Sequence, residues 1–198
     1  PNPNAPTGVY LELDNVRKIL DANRDVIVIV DEAYIDFGGK SALTLLDEYD
    51  NLLVVRTYSK SRSMAGLRIG FAIGGEELIK ALNDVTYTMN MAAIELGTAV
   101  LADKDYFNET VAKIVNTREN AKVRLRELGF TFPDSKTNFI FAKPSRITAK
   151  ELFEELKKRN IYVRYFTGDR VKDHMRISIG TDEEMERFYE AVREIQGA

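Results

Sequence analysis

The 198-residue chain is 44% hydrophobic and 30% charged, which is typical of a globular protein with a core of its own. Its formal net charge of −3 gives no electrostatic reason to expect a nucleic acid or an anionic membrane as partner. The absence of cysteine excludes disulfides and thiol catalysis and favours a cytoplasmic location, and a single histidine, His174, argues against a metal site. No apolar run is long enough to span a bilayer.

The opening of the chain predicts a turn followed by a short helix. Residues 1–8 contain the prolines and glycine that mark a turn. Helical spacing then places Val16, Ile19 and Leu20 on one apolar stripe, with Asp14 as the expected N-cap.

A continuous β-branched run from Val26 to Val30 predicts a central strand of a parallel sheet. Asp31 and Glu32 follow at its C-terminal end, which faces the ligand crevice in open α/β sheets. An acid after a buried strand is costly unless it is paired, so Asp31 is a candidate for a paired role, and the alternative is a helix cap or turn aspartate. Glu32 is interpreted as a helix cap or turn residue.

A polar loop joins two further predicted strands, 52–56 and 69–73. It contains four side chains with useful chemistry: Thr57, Ser59, Lys60 and Arg68. An amine held between apolar strands loses hydration, so its pKa falls and it becomes a nucleophile or base. Hydroxyls and a guanidinium can hold a phosphate, so the set indicates a phosphorylated carbonyl cofactor bound as a Schiff base. The alternative is a solvated surface loop, with Arg68 in a surface salt bridge.

The rest of the chain predicts longer helices and then a change of pattern. Helices are expected over Ala42–Tyr49, Glu76–Leu82, Asn90–Ala102 and Asp105–Leu128. Beyond Gly129 we expect strands over 138–142, 161–166 and 175–179, with capping boxes that begin at Thr148 and Thr181. The second part therefore predicts a small α+β domain, and we divide the chain into domains 1–115 and 116–198.

Three segments carry a resemblance to a known family: P-N-P-N-A-P-T-G (residues 1–8), D-E-A-Y-I-D-F (31–37) and S-K-S-R-S-M-A-G-L-R-I-G-F (59–71). In this order they resemble the N-P-T-G, D-E-A-Y and lysine segments of fold-type I pyridoxal-phosphate aminotransferases, most closely the histidinol-phosphate aminotransferases. The resemblance implies an α/β fold: the later part of the large domain, a mostly parallel sheet with flanking helices, followed by an α+β small domain.

The resemblance also implies a function. The cofactor would be pyridoxal 5'-phosphate, and a homodimer would transfer an amino group from glutamate to imidazole acetol phosphate in histidine biosynthesis. Lys60 would form the Schiff base and shuttle the proton, Asp31 would keep the pyridine nitrogen protonated, and Tyr34 would donate to the ring hydroxyl unless it is only a packed aromatic. The cofactor phosphate would be bound by Thr57, Ser59 and Arg68.

Two further positions follow from the resemblance. Strand alternation separates Arg176 from its apolar neighbours, and Arg176 would grip a substrate anion, with Arg164 as its partner for a phosphate-bearing substrate. The alternative for both is a solvated strand face. Ala5 stands where the family usually has an asparagine that bonds the ring hydroxyl, so Asn4 is a weak substitute.

Other functions stay open at this stage. Another aromatic or amino-acid aminotransferase, or a phosphothreonine decarboxylase, would share the cofactor residues and differ in the substrate pocket. In the family a long segment precedes the point where this chain begins, so a truncated, non-catalytic polypeptide is the alternative from a different class.

Overall fold

The structure, a computed structural model, describes residues 1–85 and 89–197. Contacts divide the chain into two compact units. Unit 1 comprises Pro1–Asn4 and Tyr10–Val111, and unit 2 comprises Ala5–Val9 and Ala112–Ala198. The domain boundary expected after residue 115 stays a prediction.

Unit 1 is built on a three-stranded sheet of β1 (Val28–Asp31), β2 (Leu52–Thr57) and β3 (Gly70–Gly74), in the order β1-β2-β3. β1 runs parallel to β2, and β3 runs antiparallel to it. The prediction of a central strand is wrong for the described part of the chain, because β1 lies at the sheet edge. Its side chains alternate, so Val30 reaches the core while Ile29 is 59% exposed.

The helices of unit 1 are α1 (Leu13–Asp21), α2 (Glu76–Val85), α3 (Met91–Ala102) and the first third of α4 (Lys104–Glu127). In α1, Val16 and Leu20 are buried, but Ile19 is exposed because it lies off the core-facing stripe. The predicted cap is also wrong: Glu12 occupies the N-cap position without a side-chain cap, and Asp14 lies in the first turn.

The segment expected to form a helix over 42–49 is instead a short 3-10 helix, Ala42–Leu45, followed by turns. Ser41 caps it by accepting a hydrogen bond from Leu43 N. The core of this unit is formed by eight buried residues: Val16, Leu20, Val30, Ala42, Leu45, Tyr49, Leu52 and Val54. The segments that contain the candidate site residues of this unit follow the C-terminal ends of β1 and β2.

Unit 2 has an antiparallel sheet of β4 (Phe130–Thr131), β5 (Phe139–Pro144), β6 (Arg164–Tyr165) and β7 (Met175–Ser178), in the order β4-β5-β7-β6. The strand expected over 161–166 is therefore much shorter. Packed with it are the second half of α4, α5 (Ala149–Lys158) and α6 (Asp182–Gln196). Both predicted capping boxes, at Thr148 and Thr181, are confirmed.

One face of this second sheet carries the core of unit 2. Ile140, Ala142, Met175 and Ile177 point to the helices and are buried. Arg176 follows Met175 along β7, so strand alternation turns it to the opposite face. Within the described ranges, no helix combines the length and the apolarity needed to cross a membrane.

Candidate functional site

The carboxylate of Asp31 lies at the C-terminal end of a parallel strand and is open to solvent. Its Oδ1 accepts a hydrogen bond from Ala33 N at 3.0 Å, which closes the turn after β1. The Asp31 backbone oxygen accepts from Asn2 N at 2.7 Å, so the first residues of the chain hold the end of this strand. These hydrogen bonds therefore fix Asp31 at the end of the strand, although the residue is exposed.

The buried acid of this turn is Glu32, only 2% exposed. Arg56 donates to its Oε2 from Nε at 3.0 Å and from Nη2 at 2.9 Å. Ser41 Oγ donates to the same oxygen at 2.7 Å, and Ala42 N donates to Oε1 at 2.6 Å. The prediction that Glu32 is a cap or turn residue accounts for its contact with Ala42 but not for its ion pair with Arg56. The register of the sheet, which the sequence does not reveal, accounts for the pair, since Asp31 pairs with Val55 and the next two residues therefore lie side by side.

In the loop between β2 and β3, called the lysine loop below, Lys60 lies beside Tyr34. Lys60 is exposed, so the expectation of an apolar site for its amine is wrong. Its Nζ lies 5.3 Å from the centroid of the buried Tyr34 ring, within the range of a cation–π contact. Across the described residues the amine makes no hydrogen bond and no ion pair.

The two predicted hydroxyls form a cluster at the end of β2. Thr57 Oγ1 and Ser59 Oγ are 2.9 Å apart, and Ser59 N donates to Thr57 Oγ1 at 3.0 Å. Thr57 Oγ1 also lies 3.2 Å from the Ile69 carbonyl oxygen, to which it can donate. When Thr57 donates to Ile69, the Ser59 hydroxyl can donate to Thr57 or to a ligand.

Arg68 is not joined to this cluster by a hydrogen bond. It has a left-handed backbone, with φ at 56°, and its Nη1 donates to Ala65 O at 3.3 Å. It is exposed and forms no ion pair with a described residue, so the surface salt bridge weighed as its alternative role is absent there. Asn4 is half-buried, while the neighbouring Asn2 is buried and exchanges two hydrogen bonds with the Leu11 backbone.

In unit 2, Arg164 and Arg176 are paired directly across the antiparallel strands β6 and β7. The Arg176 guanidinium lies 4.9 Å from the Phe139 ring centroid, and that of Arg164 lies 5.6 Å from the Phe166 ring centroid. Arg176 Nε is buried without a hydrogen-bond partner, and neither arginine pairs with an acid in the described ranges. Two arginines at directly opposite strand positions are candidates for binding a phosphate or carboxylate.

His174 lies beside this strand and stacks on Phe141, with ring centroids 4.6 Å apart and an interplanar angle of 7°. Burial lowers the pKa of His174, the positive charge of Lys143 lowers it further, and Asp173 opposes the shift. The ring is thus favoured as a neutral packing group.

Comparison with known families matches residues 1–192 to the family model described as Aminotransferase class I and II. Two curated relatives are histidinol-phosphate aminotransferases, from Brachyspira hyodysenteriae and from Clostridium acetobutylicum, and each is 50% identical over 98% of this chain. The chain spans only 56% of the length of either relative.

Solved structures agree on the fold. Histidinol-phosphate aminotransferase from Sinorhizobium meliloti, in complex with pyridoxal-5'-phosphate, is 26% identical with a TM-score of 0.87 over 99% of this chain and 56% of that chain. A decarboxylase from Sulfurospirillum multivorans is also 26% identical, with a TM-score of 0.87 over 98% of this chain and 60% of that chain. The predicted α/β fold, as part of an aminotransferase, is confirmed.

Proposed function

This chain belongs to the class I and II aminotransferase family, and on that premise we propose that it carries cofactor-binding and substrate-binding residues of a pyridoxal-phosphate-dependent histidinol-phosphate aminotransferase. The observation that carries the proposal is the free amine of Lys60, exposed at the end of β2 and 5.3 Å from the Tyr34 ring. An uncommitted amine is what attachment of an aldehyde cofactor requires.

The donor set of unit 1 fits the cofactor group by group. Pyridoxal phosphate has an aldehyde, a pyridine nitrogen, a ring hydroxyl and a phosphate. Lys60 suits the aldehyde, the open carboxylate of Asp31 suits the protonated nitrogen, and Tyr34 suits the ring hydroxyl. The clustered hydroxyls of Thr57 and Ser59 suit the phosphate. When bound, the cofactor supplies an electron sink for charge that develops on the substrate carbon.

Each of these side chains has a definite task in amino transfer. Lys60, once released from the cofactor, can accept a proton at Nζ and return it to a neighbouring carbon, because it has no competing acid partner in the described ranges. Asp31 keeps a positive charge on the ring nitrogen by offering a carboxylate oxygen. Arg68 stays a proposed phosphate ligand whose guanidinium can turn from Ala65, since that single hydrogen bond at 3.3 Å is weak.

The arginine pair of unit 2 supports an anionic substrate. Arg164 and Arg176 offer donors to an acceptor that carries two negative charges, as a phosphate monoester does. We therefore propose glutamate as amino donor and imidazole acetol phosphate as acceptor, in keeping with the two relatives at 50% identity. We also propose a homodimer in the cytoplasm. The many exposed apolar side chains of α3, among them Met91, Ile94 and Leu96, support a packing partner there.

The proposal is tested by titrating pyridoxal phosphate into the purified protein while recording visible absorbance. We expect a new band that bleaches when glutamate is added and returns with imidazole acetol phosphate. In the Lys60→Ala variant the band should be absent, whereas Lys40→Ala, which changes another exposed lysine of unit 1, should keep it.

Absence of the band in the folded protein, or its persistence in Lys60→Ala, would contradict the proposal. The non-catalytic alternative predicts the first of these results. A panel of amino donors and acceptors that includes O-phosphothreonine separates the remaining possibilities. Release of carbon dioxide from O-phosphothreonine, without bleaching by glutamate, would indicate a decarboxylase instead.

A further inference from the structure

Asp36 lies between a serine and an arginine that belong to different segments of unit 1. Its Oδ2 accepts a hydrogen bond from Ser61 Oγ at 2.5 Å, and its Oδ1 lies 3.9 Å from Arg56 Nη1. Asp36 lies in a short 3-10 helix, Ile35–Phe37, that follows Tyr34 and the end of β1 at Asp31, whereas Ser61 directly follows Lys60. The contact therefore joins, side chain to side chain, the two segments proposed to bind the cofactor.

The arginine on the other side of Asp36 is itself fixed. Arg56 makes two hydrogen bonds to Glu32, whose side chain is fully buried, and its Nη2 donates to Ser41 Oγ at 2.8 Å. Movement of Arg56 would leave a buried carboxylate without its counter-charge, which is costly. A chain of contacts thus runs from the buried Glu32 through Arg56 and Asp36 to Ser61. Ser61 is therefore held by groups that are costly to move.

The lysine loop needs such a support because its backbone is strained. Ser63 and Arg68 both have left-handed φ angles, 55° and 56°, although neither is glycine. Residues in this region cost free energy and persist only when surrounding contacts hold them. Inside the loop, Ser63 N donates to Lys60 O and Met64 N donates to Tyr58 O, both at 3.0 Å. Ser61 is 7% exposed, and its hydroxyl donates the hydrogen bond that connects this turn to Asp36, in the segment after β1.

We propose that Asp36 is a positioning residue: by holding Ser61 against the Glu32–Arg56 pair, it keeps the lysine loop closed and Lys60 beside Tyr34. The consequence for chemistry rests on the proposed function of Lys60, but the holding of the loop does not.

Hydrogen exchange of the cofactor-free protein, resolved to single amides by fragmentation mass spectrometry, tests the holding role. The amides of Ser63 and Met64 report loop closure. In Ser61→Ala we expect both to exchange about tenfold faster after correction for intrinsic rates, as loss of one buried hydrogen bond implies. The amide of Glu32, which donates to Val55 O at 2.8 Å, should be unchanged, because the sheet stays intact.

Ser63→Ala is the matched control. It makes the same serine-to-alanine substitution two residues away, at an exposed side chain that has no hydrogen bond to any described residue. It should leave the Met64 amide at the wild-type rate, and Ser61→Thr, which keeps a hydroxyl, should restore most of the protection. Equal exchange in Ser61→Ala and wild type would overturn the holding role, as would faster exchange of the Glu32 amide to the same degree.

A second measurement, of cofactor affinity, tests whether closure of the loop positions Lys60. The concentration of pyridoxal phosphate at half-saturation of the absorbance band should rise about tenfold in Ser61→Ala and in Asp36→Ala, and Ser61→Thr should reverse it. An open loop with unchanged cofactor affinity would overturn the positioning of Lys60. If the wild-type protein forms no band, the proposed function fails, while the exchange rates still decide whether Asp36 holds the loop.

Discussion

Arg164 and Arg176 occupy directly opposite positions on the neighbouring antiparallel strands β6 and β7. Side chains at such positions share one face of the sheet with Cβ atoms about 5 Å apart, and like charges there repel. Neither guanidinium has an acidic partner in the described parts of the chain, and Arg176 Nε is buried without a hydrogen bond. We therefore expect the arrangement to be unfavourable alone and to become favourable if an anion binds between the two groups.

Inorganic phosphate should therefore stabilise the protein against unfolding. At 100 times its dissociation constant we expect a gain of about 2.7 kcal/mol in the free energy of unfolding, measured by urea denaturation. Arg164→Met and Arg176→Met should each lose the share of this gain that comes from phosphate bound at the arginine pair, while any share from the proposed site at Thr57, Ser59 and Arg68 should stay. Without phosphate, the free energy of unfolding of either variant should equal that of the wild type or exceed it by up to about 1 kcal/mol, because the repulsion between the two arginines is removed.

Arg170→Met is the control for this prediction, since Arg170 is another exposed arginine of unit 2. It should respond to phosphate as the wild type does. Full stabilisation by phosphate in both Arg164→Met and Arg176→Met would show that the pair is not an anion site.

His174 should make stability depend on pH. Burial against Phe141 lowers the pKa of His174 below its usual 6.5 in the folded state. The unfolded chain therefore binds a proton first as pH falls, so stability is complete above pH 6.5 and is lost between 6.5 and the folded-state pKa. The Cε1 proton of His174, followed by NMR, should titrate below 6.5.

In His174→Gln this part of the pH dependence should disappear from the unfolding free energy. The slope above pH 7 should not change, because the imidazole is neutral in both states there. A midpoint for His174 at or above 6.5 would contradict the role of burial.

The pair of Glu32 and Arg56 should behave as a buried ion pair. Glu32→Gln leaves the guanidinium without its counter-charge, and we expect it to lower the free energy of unfolding by about 3 kcal/mol. The double variant with Arg56→Met should lose clearly less than the sum of the two single losses, with a coupling of about 1 kcal/mol or more. Glu48→Gln, which breaks an exposed pair with Arg17, should change stability little. Additive losses at Glu32 and Arg56 would mean that the two groups do not interact.

Thr57 should contribute to cofactor affinity through its hydroxyl. Thr57→Val keeps the shape of the side chain but removes the group that organises Ser59 N and Ser59 Oγ. We expect the half-saturating concentration of pyridoxal phosphate to rise about tenfold or more, as loss of a hydrogen bond to a charged group implies. Thr98→Val, at an exposed position of α3, should have no effect. Unchanged affinity in Thr57→Val would remove Thr57 from the proposed phosphate site.

The sequence by itself determined the family, the kind of fold and the segments proposed to carry chemistry. These features are local: the three motifs are short stretches with fixed spacing, and the capping boxes at Thr148 and Thr181 join residues three positions apart. The run that became β1 and the loop around Lys60 could likewise be recognised from neighbouring residues alone. Strand alternation also placed Arg176 on the face away from the core.

Only the tertiary structure decided which polar groups are buried and what they contact. Glu32, not Asp31, is the buried acid, because burial depends on which side of the strand end packs against Arg56 and Ser41. The contact of Asp36 with Ser61 spans 25 positions in the chain, and the pairing of Arg164 with Arg176 depends on sheet register. Contacts between residues so distant in sequence are set by packing, which periodicity and motif spacing do not encode.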